Sequence, residues 1–383
     1  MRNLLYILTA LFVLNACSSG KKSLNKGNYP DAIEKAVSRL SNDPNNRKAQ
    51  QVITEGYSIA MEYYQEQIDQ ILNSNERLKW SKTLQVMEQV NHLSDQIRRI
   101  PAARSLVPSP KTYTSELTDV KNRAAEERYA EGLMLLQRQN REDAKQAYLQ
   151  FREADRLVPG YQDVLQKMNE AKDLATLTVI VENLPAPSLT YELTADFFYN
   201  QVMTQMNNRF PSDSFINFYS PAEAEQVGIK YPDMLVRLAF FDFYIGKPSH
   251  SEAAHDLSRE IEEKIEVKVS RDSVRYETRK VVKTGKIRII ADEVASGGLL
   301  DLKIEDFQTR KLLLDNKVPG EFMWRNQYGI FVGDEAILTA EERKIIQNKA
   351  ILPPGPQDMF LEFTRPIYSR LTESLTVFFR RYN

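Results

Sequence analysis

One cysteine, Cys17, and three histidines, His92, His250 and His255, are all that 383 residues hold of those two types. A single thiol excludes an intrachain disulfide framework, even in an oxidising compartment. His250 and His255 have neither the i, i+4 spacing of a zinc-protease helix nor a finger spacing, so no metal centre is expected. Charge of one sign is also scarce: 51 Lys and Arg face 52 Asp and Glu, a net charge of −1. That balance leaves no electrostatic footprint for nucleic acid. Ser296-Gly297-Gly298 lacks the lysine and the preceding glycine of a phosphate-binding loop, and no G-x-S-x-G nucleophile turn occurs. Carboxylate pairs such as Glu262-Glu263 and Glu341-Glu342 read as solvated faces. The expectation is a protein that is no enzyme and carries no cofactor.

Long apolar runs are missing too. The longest, Leu4 to Leu14 behind Arg2, is too short to span a ~30 Å hydrocarbon core as a helix, which needs ~20 residues. It fits a signal peptide over residues 1–16. Leu14-Asn15-Ala16-Cys17 resembles a bacterial lipobox, with Asn15 departing from the small or β-branched residue usual there. The resemblance implies cleavage before Cys17, lipid attachment on its thiol, and a tether over residues 17–26. Each buried CH₂ of an acyl chain contributes ~0.8 kcal/mol, so a multiply acylated terminus holds a chain on a membrane with no spanning segment. By the sorting rules of such lipoproteins, Ser18 implies release to the outer membrane. The absence of an acidic cluster in Ser19-Gly20-Lys21-Lys22 implies a periplasm-facing position.

Hydrophobic residues make up 42% of the chain, enough for a buried core, and the length allows two or three domains at ~100 to 200 residues each. Residues 27–173 read as helical. In GNYPDAIEKAVSRLSNDPNN, residues 27–46, Ile33, Val37 and Leu40 form one apolar stripe, Gly27 suits a turn, Ala32 lets helices approach, and Pro44 stops the helix. This stretch resembles the turn and second helix of a tetratricopeptide repeat. A second match covers residues 124–161, with Gly132, Ala144 and Tyr148 at the repeat spacing and Pro159-Gly160-Tyr161 as the stop. Between them Val86, Val90, Leu93, Ile97 and Ile100 make an apolar seam, and Pro101, Pro108 and Pro110 mark a loop. The matches do not repeat in register, so an irregular array of about three hairpins is expected. Such arrays present a groove, for which Tyr57, Tyr64 and Trp80 are the candidate partner-binding residues, with Tyr63 beside them.

From residue 174 to 383 the pattern becomes α+β with a mixed sheet. Strands are expected at Thr176–Glu182, Phe215–Tyr219 and Met234–Ile245, then around Ile265, around Val281 to Ile289, and at Leu299–Ile304, Arg310–Asn316 and Gly320–Val332. Helices are expected from Tyr191 to Asn207, from Pro221 to Val227 and from Tyr368 to Arg381, and a polar loop containing His250 and His255. The opening TVIV strand, the PDMLVRLAFFDF strand and the late LLLDNKVPGEFMW pattern of strand, turn and strand resemble the periplasmic α/β domain of the curli-secretion lipoprotein family and the amino-terminal TolB domain. That family's channel raises the question of membrane strands. The Ile265 stretch supplies only Ile265, Val267 and Val269 before Arg271 and Ser273 fall on the same face, short of the ~9 to 11 residues a membrane strand needs.

The leading expectation is a periplasm-facing lipoprotein acting as scaffold or adaptor in a secretion or outer-membrane assembly. Its partners are the membrane, through its lipid, and envelope proteins, through the helical repeats; oligomerisation is left open. The alternatives are a nutrient-capturing surface lipoprotein, since such proteins also combine repeat-like helices with lipidation, and an oligomeric export channel.

Overall fold

The computed structural model describes residues 19–186, 188–270 and 273–383. The signal segment, Cys17, Pro187 and Arg271 lie outside the described residues. Two units divide between Ala175 and Thr176, an α+β chain with a helical array first and a mixed sheet second. Among the described residues, no helix is long and apolar enough to cross a membrane.

After a single turn at Lys21–Leu24, the helical unit holds α1 (Tyr29–Asn42), α2 (Arg47–Asn73), α3 (Lys79–Arg99), α4 (Pro101–Leu106), α5 (Leu117–Leu136), α6 (Arg141–Leu157) and α7 (Val164–Ala175). The Ile33, Val37 and Leu40 stripe of α1 is buried, together with Ala32 and Ala36. Asn46 caps α2, its side chain accepting from the Ala49 N–H at 3.1 Å. Asn140 does the same for α6 through Asp143 at 2.9 Å. These caps satisfy amides that the first turn of a helix leaves without partners. Gly132 in α5 has a packing reason: a Cβ there would stand 2.6 Å from the Phe151 ring of α6. Pro101 does not open a loop as expected. It is the first residue of α4, a position where its missing N–H costs nothing.

In the second unit β1 (Leu177–Val181) is followed by α8 (Glu192–Arg209), β2 (Ile216–Tyr219), α9 (Pro221–Val227), β3 (Met234–Ile245), β4 (Ser249–Ser270), β5 (Ser273–Asp306), β6 (Leu312–Gly333), α10 (Ala340–Gln347) and α11 (Pro356–Arg380). β1 pairs in parallel with β2 and β3; β3, β4 and β6 all pair antiparallel with β5. The core lies between strands and helices: Val179, Val236, Leu300, Leu302 and Ile304 meet Val202 and Met206 of α8 and Phe360, Phe363, Ile367 and Leu371 of α11.

The strands run longer than the sequence suggests. Ile245 pairs with Ser296 and Ser249 with Glu293, so β3 and β4 follow one another along the same edge of β5. The break, Gly246-Lys247-Pro248, is bridged by the Gly246 N–H donating to Ala295 O at 2.8 Å. His250 and His255 therefore sit in β4, not in a loop. Their segment is poor in β-branched residues, and pairing with the isoleucine-rich run Ile287, Ile289, Ile290 of β5 makes it a strand. The expected turn between Asn316 and Gly320 is absent as well. β6 runs straight through it, with Pro319 on an outer strand, where a missing N–H is tolerated. A Cβ on Gly320 would meet the Phe363 carbonyl oxygen at 2.3 Å, so this glycine serves the close crossing of α11.

The last helix begins at Pro356, twelve residues before the expected Tyr368, and contains Pro366. Interior proline costs a helix ~3 kcal/mol. Burial of Phe360, Phe363, Ile367 and Leu371 on one continuous face offsets that.

Candidate functional site

Two surface features stand apart from the buried cores, a cleft in the helical unit and a strand ribbon in the second. In the helical unit a cleft of about 590 Å³ lies across α1, α2 and α3. Its α3 wall is a polar stripe, Gln85, Glu88, Gln89, His92 and Gln96, on the opposite side from the buried Val86, Val90 and Ile97. Asp31 and Glu34 of α1 face it, and Tyr64 of α2 lines it between them. Helical spacing alone puts each set on one face; the tertiary packing of α1 and α3 on α2 brings the faces together.

Tyr64 is held by aromatic edges: its ring lies 6.2 Å from that of Tyr63, which lies 6.4 Å from that of Tyr29. The side chain is 6% exposed, and its hydroxyl has no hydrogen-bond partner among the described residues. Burial first, and the Glu34 carboxylate second, push the phenol above its ordinary pKa, so it stays protonated. Asp31 is occupied by Lys35 at 2.7 Å, and that bond, followed by one with Ser23, holds its carboxyl below the usual range. The Gln96 amide lies 2.9 Å from His92 Nε2.

The other aromatic candidates are not brought to this cleft. The Tyr57 hydroxyl accepts the Lys111 N–H at 2.7 Å and pins the segment after Pro110 to α2. Trp80 packs between α3 and α5: its backbone N–H donates to Glu127 at 2.9 Å, and the Arg123 guanidinium lies 4.7 Å from its ring centre. Glu34, Glu88, Gln85 and Gln89 were not anticipated, because a polar stripe on a helix looks like any solvated face until a second helix stands across from it.

The second surface is an arm. β6 pairs with β5 only from Gly285 onward, so β4 and the first part of β5 continue as a two-stranded ribbon. At ~3.4 Å per residue it reaches roughly 40 Å past the end of β6. Charge holds it together. β4 carries Glu252, Asp256, Glu260, Glu262, Glu263 and Glu266, and β5 carries Arg275, Arg279, Lys280, Lys283, Lys286 and Arg288. Cross-strand bonds join Glu260 to Lys280 at 2.9 Å, Glu263 to Lys283 at 3.0 Å and Glu252 to Arg288 at 3.3 Å. At the ribbon's base Arg259 clasps Glu342 of α10 at 2.6 and 2.8 Å and donates to Ile337 O at 2.6 Å. That clasp is the leading cause that pulls the Glu342 carboxyl down to about 2, against a smaller opposing effect of burial.

Both faces of the ribbon carry charge. One shows the pairs Arg259 with Lys283, Glu263 with Arg279 and Ile265 with Glu277; the other shows Glu262 with Lys280, Lys264 with Thr278 and Glu266 with Tyr276. The outer edge of β4 has no neighbouring strand among the described residues. His250 is part of the same cross-strand pattern, its Nδ1 2.7 Å from Asp292. Among the described residues no group of three or more His, Cys, Asp or Glu could hold a metal ion. Compared with known proteins, the chain matches no protein-family model and no curated protein.

Proposed function

We propose that the chain is a lipid-tethered, periplasm-facing scaffold of a bacterial cell-envelope assembly, fixed to the outer membrane through Cys17 and joined to other envelope proteins by its arm and its helical cleft. The observation that carries this reading is the arm. A two-stranded ribbon is marginal in water on its own, and this one adds nothing to the apolar core, so its length has its use in meeting a partner. Charged side chains along an exposed edge discourage indiscriminate strand pairing and leave selective, charge-matched docking. The same charges weigh against an export channel built from these strands, since a charge facing lipid near the bilayer midplane costs ~2–4 kcal/mol and neither face of the ribbon is free of charge.

Copurification from native membranes in mild detergent, after in-cell crosslinking from a photoreactive residue at Lys264 in the arm, tests the scaffold. Stoichiometric envelope proteins joined to the arm are the expected result; an uncrosslinked monomer overturns it. Palmitate labelling and fractionation of Cys17→Ser beside the unaltered protein tests the tether. The unaltered chain takes up label and sediments with membrane, whereas the variant does neither; an unlabelled, freely soluble wild type overturns the address.

A further inference from the structure

We propose that the groove between α8 and α11 seats a second copy of this chain across a two-fold axis, with the exposed ridge of α8 in each copy lying against α11 of the other and Asp196 meeting Arg365 across the contact. The inference stands apart from the scaffold reading, since neither the arm nor Cys17 enters it.

Three observations converge. One face of α8, with the turn before it, carries Leu189, Leu193 and Phe197 at successive steps of four, 89%, 81% and 52% exposed. Single exposed apolar residues are ordinary, but a row of three on one helix face marks a contact surface. Beside the row lies a groove of about 490 Å³, lined by Phe197 and Phe198 of α8 and by Leu361, Arg365 and Tyr368 of α11. A ridge and a groove on the same molecule, sharing Phe197, are what a self-complementary contact between identical chains requires. The third observation is charge. The Tyr191 and Phe360 ring centres are 5.0 Å apart and those of Phe198 and Tyr368 6.2 Å apart, so α8 and α11 run side by side in the same direction. That register sets Asp196 level with Arg365. A two-fold axis along the groove keeps each residue at its own level and exchanges the helices, which brings Asp196 of each copy over Arg365 of the other. Arg365 already bonds Glu362 on its own helix at 3.0 Å, an exposed pair that leaves guanidinium donors to share. Glu192 and Asp196, exposed beside the ridge, disfavour the anionic surface of a bilayer as its cover.

The test uses the full chain in mild detergent. Two differently tagged forms, one Asp196→Cys and the other Arg365→Cys, are mixed and treated with a short bismaleimide. A covalent dimer carrying both tags is expected. It should not form between unaltered chains, whose only cysteine is Cys17, nor when Val377→Cys, exposed farther along α11, takes the place of Arg365→Cys. A ridge of about 12 Å makes a small contact, near the ~1,200 Å² lower end of stable interfaces, so sedimentation should show a monomer–dimer equilibrium in the micromolar range. Leu193→Glu, at a position too exposed to threaten the fold, should weaken it at least ~10-fold. Asp196→Arg alone and Arg365→Asp alone should each weaken it ~5-fold, and the two in one chain should restore it, since each exchanged charge again meets its opposite. A monomer at every concentration up to ~100 μM, crosslinking as strong through Val377→Cys, or a double exchange no better than the single ones overturns the proposal. Photocrosslinking from Asn200 in cells that captures only a different protein or lipid overturns it too, by giving the ridge another occupant.

Discussion

β5 is one strand of 34 residues living under two regimes. Its inner part, around Leu300, Leu302 and Ile304, alternates fully buried side chains with half-buried ones and is covered by α11. Its outer part, around Tyr276 and Val282, is exposed, and its alternation is one of charges answering charges across β4. Backbone pairing is continuous through both. Strand geometry is therefore indifferent to what it carries, and the side chains decide whether a stretch stabilises the unit or reaches away from it. Large, salt-insensitive effects belong to the inner part and small, salt-sensitive ones to the outer part.

The sharpest way to expose that contrast is Phe363→Ala. Phe363 is fully buried on α11 and packs against Phe360 and Phe243 at ring separations of 5.0 and 6.4 Å. Removing it should cost about 3–5 kcal/mol, read as a loss in the urea midpoint of the second unit with no dependence on salt. A loss below ~1 kcal/mol would mean that α11 is not the true lid of the sheet.

Gly320→Ala tests the same region by crowding. The added methyl would press on the Phe363 carbonyl and should cost ~1–3 kcal/mol by pushing α11 from β6, despite the smaller conformational entropy alanine loses on folding. Hydrogen exchange should speed in α11 and stay unchanged in β4.

These residues also show what could be read in advance. β1, a β-branched run, and β3 and the Leu299–Ile304 stretch are strands as expected. The first half of α11 was hidden by Pro366, because a local breaker signal outweighed an apolar face whose value comes only from the sheet beneath it. The Val318-Pro319-Gly320 run reads as a local turn signal between Asn316 and Gly320, but the glycine answers a helix more than forty residues away in the chain. In the helical unit Tyr64 could be picked out as an aromatic on a helix face. Glu34 and Glu88 could not, since their meaning depends on α1 and α3 facing one another across α2.

At the junction of the two regimes stands Arg259. Arg259→Ala removes a two-pronged, charge-assisted pair that ties β4 to α10. It should free the segment Glu335–Gln347 to protease while the unfolding midpoint of the core barely moves. Acid should imitate the variant. Glu342 has a folded-state pKa of about 2, below its ordinary 4.5, so its contribution is complete above ~4.5 and disappears as pH falls toward 2. Protease protection of the segment should be flat from pH 7 to 5 and fall below that. Protection that rises on acidification would reverse the sign and refute the clasp.

The smallest effect is expected farthest out. A double-mutant cycle on Glu260→Ala and Lys280→Ala isolates one cross-strand pair, 2.9 Å apart with both side chains about half exposed or more. Such pairs contribute ~0.2–1 kcal/mol, screened by salt, so the coupling should be a few tenths of a kcal/mol and vanish by ~1 M salt. A coupling as large as that of Phe363, or one insensitive to salt, would mean that the ribbon is buried against something even in the isolated protein. The division of β5 into a core half and a reaching half would then fail, because the outer half would be as sheltered from water as the inner one.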